Sequence, residues 1–387
     1  MSDPFIYISS SYYPIYLQDT RTINMESPRS LVLFLESCRT EATKKSYRFE
    51  LDKFLTWTKK DYESILFLEK TELTDILVDY TLHLKKRVSP NSLPVYFAGI
   101  FKFLDMNDKE FNKKKIIALF GEKVKRAGGR PITNQEINEM IRVSSNSKQN
   151  ALIHVFSATG CRPEAITTLK IKHVKPIGDN CLSLMIYAGS THESFVFLHH
   201  IASESLKRYH KWREDNGEKL TPESFVFIAH RQLSTAPIKP LDTSTVSGLF
   251  ADLFKKAGIQ REIVSKRNYD LASCGGFRKR FNTIIKSNSE IPYAVSEKLM
   301  DHSNYLEKHY FKSTREELFE HYKKAIPRLI FDESEKIKLE NENNLKELKE
   351  LEQVKEEKDK LQAKIKRMEA TTYTKDQIDE MIKDLKK

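Results

Sequence analysis

The sequence predicts a mainly α-helical protein that carries one small β-hairpin or sheet in its second half. Apolar residues recur at helical spacing from about Ser30 to Val124 and again after Thr133. Alternation typical of strands is confined to residues 182–187 and 194–198, which are separated by a short turn. Residues 332–387 hold 14 basic and 16 acidic side chains, whereas residues 1–331 hold 51 and 38. We therefore predict a basic body with helical and α+β parts, followed by a separate, mildly acidic helical tail.

Composition narrows the class of protein before any motif is considered. The chain has 387 residues and a formal net charge of +11, which suggests about two domains and a polyanionic partner. Neither a secretory signal nor an apolar run of membrane-spanning length is recognisable. The four cysteines are scattered without Cys-x-x-Cys spacing, so we expect no zinc site, no disulfide framework and a reducing cytoplasm.

Composition shifts divide the chain into five segments. Residues 1–28, rich in Tyr, Ser and Pro, predict a flexible arm, and residues 29–123 predict a helical domain of four or five helices. Residues 124–131 are basic, contain Gly128-Gly129 and predict a linker. A capping box formed by Thr133 and Glu136 opens the mixed domain at 132–331, and residues 332–387 form the tail.

The tail favours a short coiled coil. Its apolar residues follow one another mostly at spacings of three and four, which is typical of a heptad seam. The step Leu348–Leu351–Val354 breaks strict register, so a solvated single helix is the alternative. The seam comprises Ile337, Leu345, Leu348, Leu351, Val354, Leu361, Ile365 and Met368.

Basic side chains cluster in the helical domain and in the linker. On a helix such residues either contact phosphates or simply form a solvated face. We predict that ten of them contact the phosphates of a polyanionic partner: Lys44, Lys45, Arg48, Lys85, Lys86, Arg87, Lys123, Lys125, Arg126 and Arg130.

Three segments of the mixed domain place basic or nucleophilic side chains at helix boundaries. The first contains Arg162, followed by Pro163, which sets the arginine at a helix N-terminus where an anion is favoured. The second contains Arg278, and the third runs from His302 to Tyr310. Singly, each fits a surface ion pair or a helix cap, but their order and spacing together are much less common.

These segments resemble the two arginine boxes and the His…Tyr box of tyrosine recombinases, the phage-type integrases. The resemblance covers roughly residues 30–331 and is greatest to archaeal and archaeal-virus members, whose third box often reads Gly-His-Ser before a Tyr-Tyr or Tyr-Phe pair. It implies a core-binding (SAM-like) helical domain, a catalytic domain at 132–331 and cleavage of DNA through a 3′-phosphotyrosyl intermediate. It also implies no cofactor, no metal and no ATP.

The family's roles carry over to matching positions of this chain. Arg162 and Arg278 match the arginines that surround the scissile phosphate, and His302 matches the histidine that hydrogen-bonds it. The family nucleophile usually lies nine residues after this histidine, where this chain has Phe311, so Tyr310 at the eighth position matches the nucleophile. The alternatives are Tyr305 and Tyr322, whose ordinary role would be core packing.

Three features depart from the family pattern. Gly275 stands where the second box normally begins with His or Lys, and the turn at 187–193 lacks the lysine that serves as general acid. Substitutes for this lysine are His192, since histidine can act as a general acid, and Lys172 or Lys279. Glu164 follows Arg162 by two residues rather than the usual three.

The resemblance further implies double-stranded DNA with attachment-type sites as partner and a homotetramer on paired sites, and we expect no membrane contact. We predict a site-specific integrase of a mobile element. The alternatives are a type IB topoisomerase-like nicking and closing enzyme, a catalytically impaired DNA-binding protein on a recombinase scaffold, and a coiled-coil scaffold protein with incidental charge.

Overall fold

The computed structural model describes residues 27–124, 129–229, 239–265, 268–302, 313–371 and 375–386. Contacts between residues divide the chain into two compact units, Met1–Arg126 and Ala127–Lys387, which we call the helical unit and the mixed unit. The division falls inside the predicted linker. Most of the predicted arm at 1–28 lies outside the described residues, and so do the candidates Lys125, Arg126, Tyr305 and Tyr310.

The helical unit packs its helices around an apolar interior. Thr40 caps the second helix by accepting a hydrogen bond from the Thr43 amide at 3.2 Å, and Lys59 ends it in the left-handed conformation. Large aromatic and aliphatic side chains, such as Phe54 and Phe97, are fully buried. The helices are α1 Arg29–Glu36, α2 Glu41–Thr58, α3 Lys70–Lys85, α4 Leu93–Met106 and α5 Lys113–Ala118.

The mixed unit begins at the predicted capping box. Thr133 accepts from the amide of Glu136, while the Glu136 carboxylate accepts from the Thr133 amide. Helix α7 lies at the centre of the unit, and nine consecutive residues at its C-terminal end are buried. The helices are α6 Asn134–Val143, α7 Ser147–Thr159, α8 Pro163–Thr167, α9 His200–Asp215, α10 Thr243–Lys256, α11 Ser273–Lys286, α12 Tyr293–Leu299, α13 Arg315–Lys323 and α14 Ile326–Leu329.

The main sheet of the mixed unit has three antiparallel strands, so the predicted mainly helical class with a small sheet is confirmed. The strands are β1 Val174–Gly178, β2 Cys181–Ile186 and β3 Ser194–Leu198, and Leu184 of β2 pairs with Val196 of β3. Strand β1 was missed because its Pro and Lys residues interrupt the alternation. A further small pair joins β4 Ile263–Ser265 to β5 Asn268–Tyr269.

The tail forms a long helix, α15 Glu333–Thr371, and a shorter one, α16 Lys375–Asp384. Leu339 packs against the mixed unit's core, whereas the seam residues from Leu345 to Met368 are exposed. In the parts of the chain that the structure describes, no helix combines the length and the apolarity needed to span a membrane.

Candidate functional site

The first arginine, Arg162, is placed by a sharp turn between two helices. Gly160 ends α7 with φ of +55°, a conformation that favours glycine, and Arg162 is the N-cap of α8 with Pro163 in its first turn. Its side chain remains 45% exposed, and Nη1 donates to Asp301 Oδ2 at 2.7 Å. A charged guanidinium therefore projects from the turn and already holds one carboxylate.

The second arginine, Arg278, lies on α11 and is more enclosed. Its Nη1 donates to the Gly160 carbonyl at 2.9 Å, and its Nη2 donates to the Met300 carbonyl. Burial lowers the pKa of the Arg278 guanidinium, and the nearby charge of Arg162 lowers it further. These two carbonyls lie two residues before Arg162 and His302 respectively, so Arg278 ties together the turns that carry the other two predicted groups.

The histidine, His302, is oriented by a buried carboxylate that the sequence analysis missed. Glu297, only 9% exposed, places Oε2 3.1 Å from His302 Nδ1, and its Oε1 lies 2.5 Å from Lys286 Nζ. Burial acts to raise the pKa of Glu297, but the bonds to Lys286 and His302 outweigh it and hold the pKa below its usual value. Because an ionised carboxylate only accepts, Nδ1 carries the proton, which leaves Nε2 for a ligand.

Arg162 and His302 line one cleft of about 680 Å³. His192 reaches it from the turn between β2 and β3, while Arg162 and His302 come from helix boundaries. The lining residues are Arg162, Glu164, Tyr187, Ser190, His192, Glu297, Asp301 and His302. A cavity of similar size, about 660 Å³, lies elsewhere, at Lys148, Trp212 and Leu249.

The two lysine candidates for general acid have partners outside this lining. Lys172 Nζ lies 2.7 Å from Glu223 Oε1, and Lys279 Nζ donates to the Gly129 carbonyl at 2.6 Å. Of the three substitutes, His192 is the one that lines the cleft.

The alternative nucleophile Tyr322 lies in the core. It is fully buried, its hydroxyl donates to the Ala158 carbonyl at 3.1 Å, and burial raises its pKa well above the usual value. Such a hydroxyl is engaged in packing α13 against α7. Tyr310 and Tyr305 fall outside the described residues, so the predicted nucleophile stays a prediction.

The predicted DNA-binding residues fall into two groups. Lys44 is paired with Glu36 and Glu41, each at 3.2 Å, and Arg130 is held by Glu136 and Asp270, at 2.7 and 2.9 Å. Arg130 therefore ties the start of α6 to the segment before α11. The others within the described residues are exposed, and one of them, Arg48, also lies 3.7 Å from Asp52: Lys45, Arg48, Lys85, Lys86, Arg87 and Lys123.

Sequence reasoning missed four residues that line the cleft: Tyr187, Ser190, Glu297 and Asp301. Asp301 directly precedes His302 and Glu297 lies five residues before it, but nothing in the local sequence marks either carboxylate for a role in the cleft. Within the described residues, no group of three or more His, Cys, Asp or Glu side chains is arranged to hold a metal ion.

Comparisons with known proteins agree with the resemblance. The model described as "Phage integrase family" matches residues 130–317, a range that contains Arg162, Arg278 and His302. No curated protein matches the sequence significantly.

Several solved structures are similar to this chain at low identity. XerH site-specific recombinase bound to difH substrate, in a pre-cleavage complex, is 15% identical with a TM-score of 0.49, covering 70% of this chain and 80% of that chain. A lambda integrase dimer bound to a COC′ core site is 16% identical with a TM-score of 0.45, covering 73% and 93%. The integrase from mycobacterium phage Brujita is 15% identical with a TM-score of 0.39, covering 76% and 90%. The family match supports, for this chain, an enzyme of the tyrosine-type DNA recombinase class.

Proposed function

We propose that the protein is a site-specific DNA recombinase, an integrase that cuts and rejoins DNA strands through a 3′-phosphotyrosyl intermediate at Tyr310. The observation that carries the proposal is the convergence of Arg162, His302 and His192 on one cleft. Arg278 supports it, because its guanidinium bonds to both turns that bear Arg162 and His302. Arg162 suits a phosphodiester, because the two free oxygens of a phosphodiester match guanidinium donors.

The proposed reaction conserves bond energy and needs neither metal nor ATP. The Tyr310 oxygen attacks phosphorus and its proton passes to water. The bond to the 5′ oxygen breaks, and that oxygen takes a proton from the general acid to become a hydroxyl. A 5′-hydroxyl from another strand then attacks the phosphotyrosine and regenerates Tyr310. Fixed guanidinium charges stabilise the charge that develops on the phosphoryl oxygens during both steps.

Covalent capture tests this proposal without knowledge of the target sequence. A pool of randomised duplexes, each nicked to let the cut fragment diffuse away, is incubated with the protein and resolved on denaturing gels. We expect an adduct that Tyr310→Phe abolishes and that Tyr322→Phe, which removes a buried hydroxyl from the core, retains. Loss of the adduct in Tyr305→Phe with retention in Tyr310→Phe would reassign the nucleophile.

His192 is our proposed general acid, because it lines the cleft whereas Lys172 and Lys279 bond elsewhere. His192→Ala should slow cleavage about 10²- to 10⁴-fold, the usual contribution of general acid catalysis. A substrate with sulfur in place of the 5′ bridging oxygen has a leaving group that needs no proton. Cleavage of this sulfur substrate should be as fast in His192→Ala as in the unaltered protein, and Lys172→Ala and Lys279→Ala should cleave both substrates normally. If Lys172→Ala or Lys279→Ala instead cleaves the ordinary substrate slowly and the sulfur substrate normally, that lysine is the acid.

Two other functions predict different outcomes of the same capture experiment. A catalytically impaired, sequence-specific DNA-binding protein is favoured by the ion pair between Arg162 and Asp301 and by the missing hairpin lysine; it binds DNA and forms no adduct. A type IB topoisomerase-like enzyme forms the adduct and relaxes supercoils without exchanging strands between sites.

DNA binding by this protein should rest mainly on phosphate contacts, made by both units and the linker, including Lys125 and Arg126. We propose that exposed residues such as Lys45, Lys85 and Lys86 contribute. Affinity should then fall steeply between about 50 and 200 mM salt, by about 10³-fold or more if six or more phosphates are contacted. A weak salt dependence would argue against this binding mode.

We propose that the active form is a homo-oligomer, a tetramer on paired attachment-type sites, and that the tail contributes to self-association. The exposed seam of α15 supports this, since Leu351, Val354, Leu361, Ile365 and Met368 keep strict heptad spacing with Lys358 as the polar interruption. Val354→Cys should form an intermolecular disulfide if two tails pair in parallel register; the native cysteines are all buried. Monomeric behaviour that is unchanged by deleting the tail would remove this role.

We also propose an origin and a cellular setting for the protein. The pattern of the third segment supports kinship with archaeal and archaeal-virus integrases, and thus a mobile element as its source. Action on DNA places the protein in the cytoplasm, at the nucleoid.

A further inference from the structure

Asp301 accepts hydrogen bonds from the guanidinium of Arg162. Its Oδ2 accepts from Arg162 Nη1 at 2.7 Å, and the same Nη1 lies 3.3 Å from the Asp301 carbonyl oxygen. The Asp301 side chain is 13% exposed, against 45% for Arg162. The carboxylate is therefore the more enclosed partner and lies inside the cleft.

The backbone fixes this placement. Asp301 has φ of +51°, and its amide donates to the Lys298 carbonyl at 2.9 Å in the turn that ends α12. The next amide, that of His302, donates to the Glu297 carbonyl at 2.9 Å. Asp and Asn tolerate this left-handed conformation better than other side chains. The turn that presents His302 to the cleft thus also presents the carboxylate.

Groups from every neighbouring element face Asp301. The cations Arg162 and Arg278 come from the turn before α8 and from α11, and His192 and His302 come from the hairpin turn and the end of α12. Tyr187, which follows β2, is close enough for the Asp301 charge to help raise its pKa to about 12, mainly through burial. Two further acidic residues, Glu164 and Glu297, line the same cleft.

A carboxylate and a phosphodiester present similar paired oxygens to a guanidinium. Both cannot accept from the same Arg162 donor, and two anions in one enclosed cleft repel each other. We propose that Asp301 is an internal substitute for the substrate phosphate: it occupies Arg162 in the free protein, and a DNA phosphate must displace it to bind. This inference rests on the proposed function, since it assigns Arg162 to the phosphate.

Competition of this kind depends on pH. Burial raises the pKa of Asp301 against the opposing effect of the surrounding cations. A protonated carboxyl no longer competes as an anion, so phosphate binding should strengthen as pH falls through that pKa. In Asp301→Asn, which has no charge to lose, this dependence should flatten.

Chemical modification of Arg162 tests the contact directly. Full-length protein is treated with phenylglyoxal at constant pH without DNA, and the adducts on each arginine are measured by peptide mass spectrometry. Asp301→Asn keeps the size and the turn preference of the residue, and Asp301→Gly is a second variant that suits the positive φ. Arg162 should react about two- to five-fold faster in both variants, the size expected for a partly exposed ion pair. Exposed Arg142 serves as internal reference.

Glu164→Gln is the matched control, because it removes the same charge from the same cleft. Unchanged Arg162 reactivity in both Asp301 variants, or an equal increase in Glu164→Gln, would overturn the proposal. In a second arm, a DNA duplex protects Arg162 from the reagent, and half-protection should need about two- to five-fold less DNA in Asp301→Asn. Protection at equal DNA concentration in the two proteins would also overturn it.

The two arms separate this inference from the proposed function. If DNA protects Arg162 in neither protein while Asp301→Asn still raises its reactivity, the ion pair is real and the phosphate assignment fails. If covalent capture succeeds and Asp301→Asn has no effect on either arm, the recombinase proposal stands and the role of Asp301 fails.

Discussion

The two units differ in what they bury. Among the described residues, the helical unit buries only three polar side chains, those of Ser30, Thr74 and Thr81, and both threonine hydroxyls donate to carbonyls of their own helix. The mixed unit buries ionisable groups of both signs: His154, His199, Arg213, Arg280 and Glu297.

The two interiors differ in whether they orient particular side chains. An apolar interior stabilises a unit without directing any group. Buried charges cost free energy unless they are paired. Two of the buried charged residues, Glu297 and Arg280, bond to residues or elements that form the cleft. Glu297 bonds to His302, and Arg280, on the helix that carries Arg278, bonds to Asn134 Oδ1 at 2.8 Å and to the Leu329 carbonyl at 3.0 Å. The mixed unit thus uses buried charge to orient side chains, and its stability should respond to pH and to charge removal more strongly.

The largest effect should come from Arg213, which is fully buried. It pairs with Glu218 at 2.5 Å and donates to the carbonyls of Phe225 and Val226. Arg213→Ala leaves the buried Glu218 carboxylate without its partner and should lower the free energy of unfolding by about 3–5 kcal/mol. Urea denaturation measures the free energy of unfolding. The control is Arg142→Ala, a change at an exposed arginine, which should alter that free energy by less than about 0.5 kcal/mol. A loss below about 1 kcal/mol for Arg213→Ala would contradict this account.

Glu297→Gln should reduce catalysis more than stability. The neutral amide keeps the shape but weakens the bonds to His302 and Lys286, so the rate of covalent adduct formation should fall about ten- to hundred-fold. Single-turnover capture on a duplex recovered from the randomised pool measures the rate. The control is Glu290→Gln, an exposed change in the loop before α12. An equal loss in both variants would show that the effect is general to this region.

Mild acid should destabilise the mixed unit selectively. Burial lowers the pKa of His154 to about 4, and that of His199 well below its usual value. Between about pH 6.5 and 4 the unfolded state binds protons that these folded imidazoles exclude, so stability is complete above pH 6.5 and declines as pH falls. Through His154 alone, the free energy of unfolding should be about 2 kcal/mol lower at pH 5 than above pH 6.5.

Amide hydrogen exchange of the full chain at pH 7.5 and pH 5, corrected for the intrinsic exchange rate, measures the protection of backbone amides in both units in one experiment. Protection should fall in α7 and α9 and change less in α2 and α4. His154→Leu should remove part of the difference. Equal losses in the two units would show that buried histidines do not govern the acid response.

The smallest effect should come from the tail, whose described seam from Leu345 onward is exposed. Deleting residues 341–387 keeps Leu339 against the core and should change the unfolding free energy of the dilute protein by less than about 0.5 kcal/mol. The same deletion should lower the oligomeric state at high protein concentration, measured by sedimentation velocity. A large loss of stability in dilute solution would mean that the tail packs on the body.

Local signals predicted most of the helices. The capping box at Thr133 predicted the start of α6, and Pro163 after Arg162 predicted the start of α8. Strand β1 and the β4–β5 pair escaped notice, because their pairing partners rather than their own residues make them strands. Arg162, Arg278 and His302 were predicted from a resemblance, while Glu297 and Asp301 carry no local mark of their roles.

By itself, the sequence determined the helical class, the hairpin, the basic body with its acidic tail, and the residues that match a recombinase. These depend on neighbours a few positions apart, where periodicity, caps and charge act. Only the tertiary structure decided what each charge does. It joined Arg130 to Glu136 and Asp270, turned His192 toward the cleft and set Asp301 against Arg162. The role of an ionisable side chain depends on burial and on partners distant in sequence, and folding supplies both.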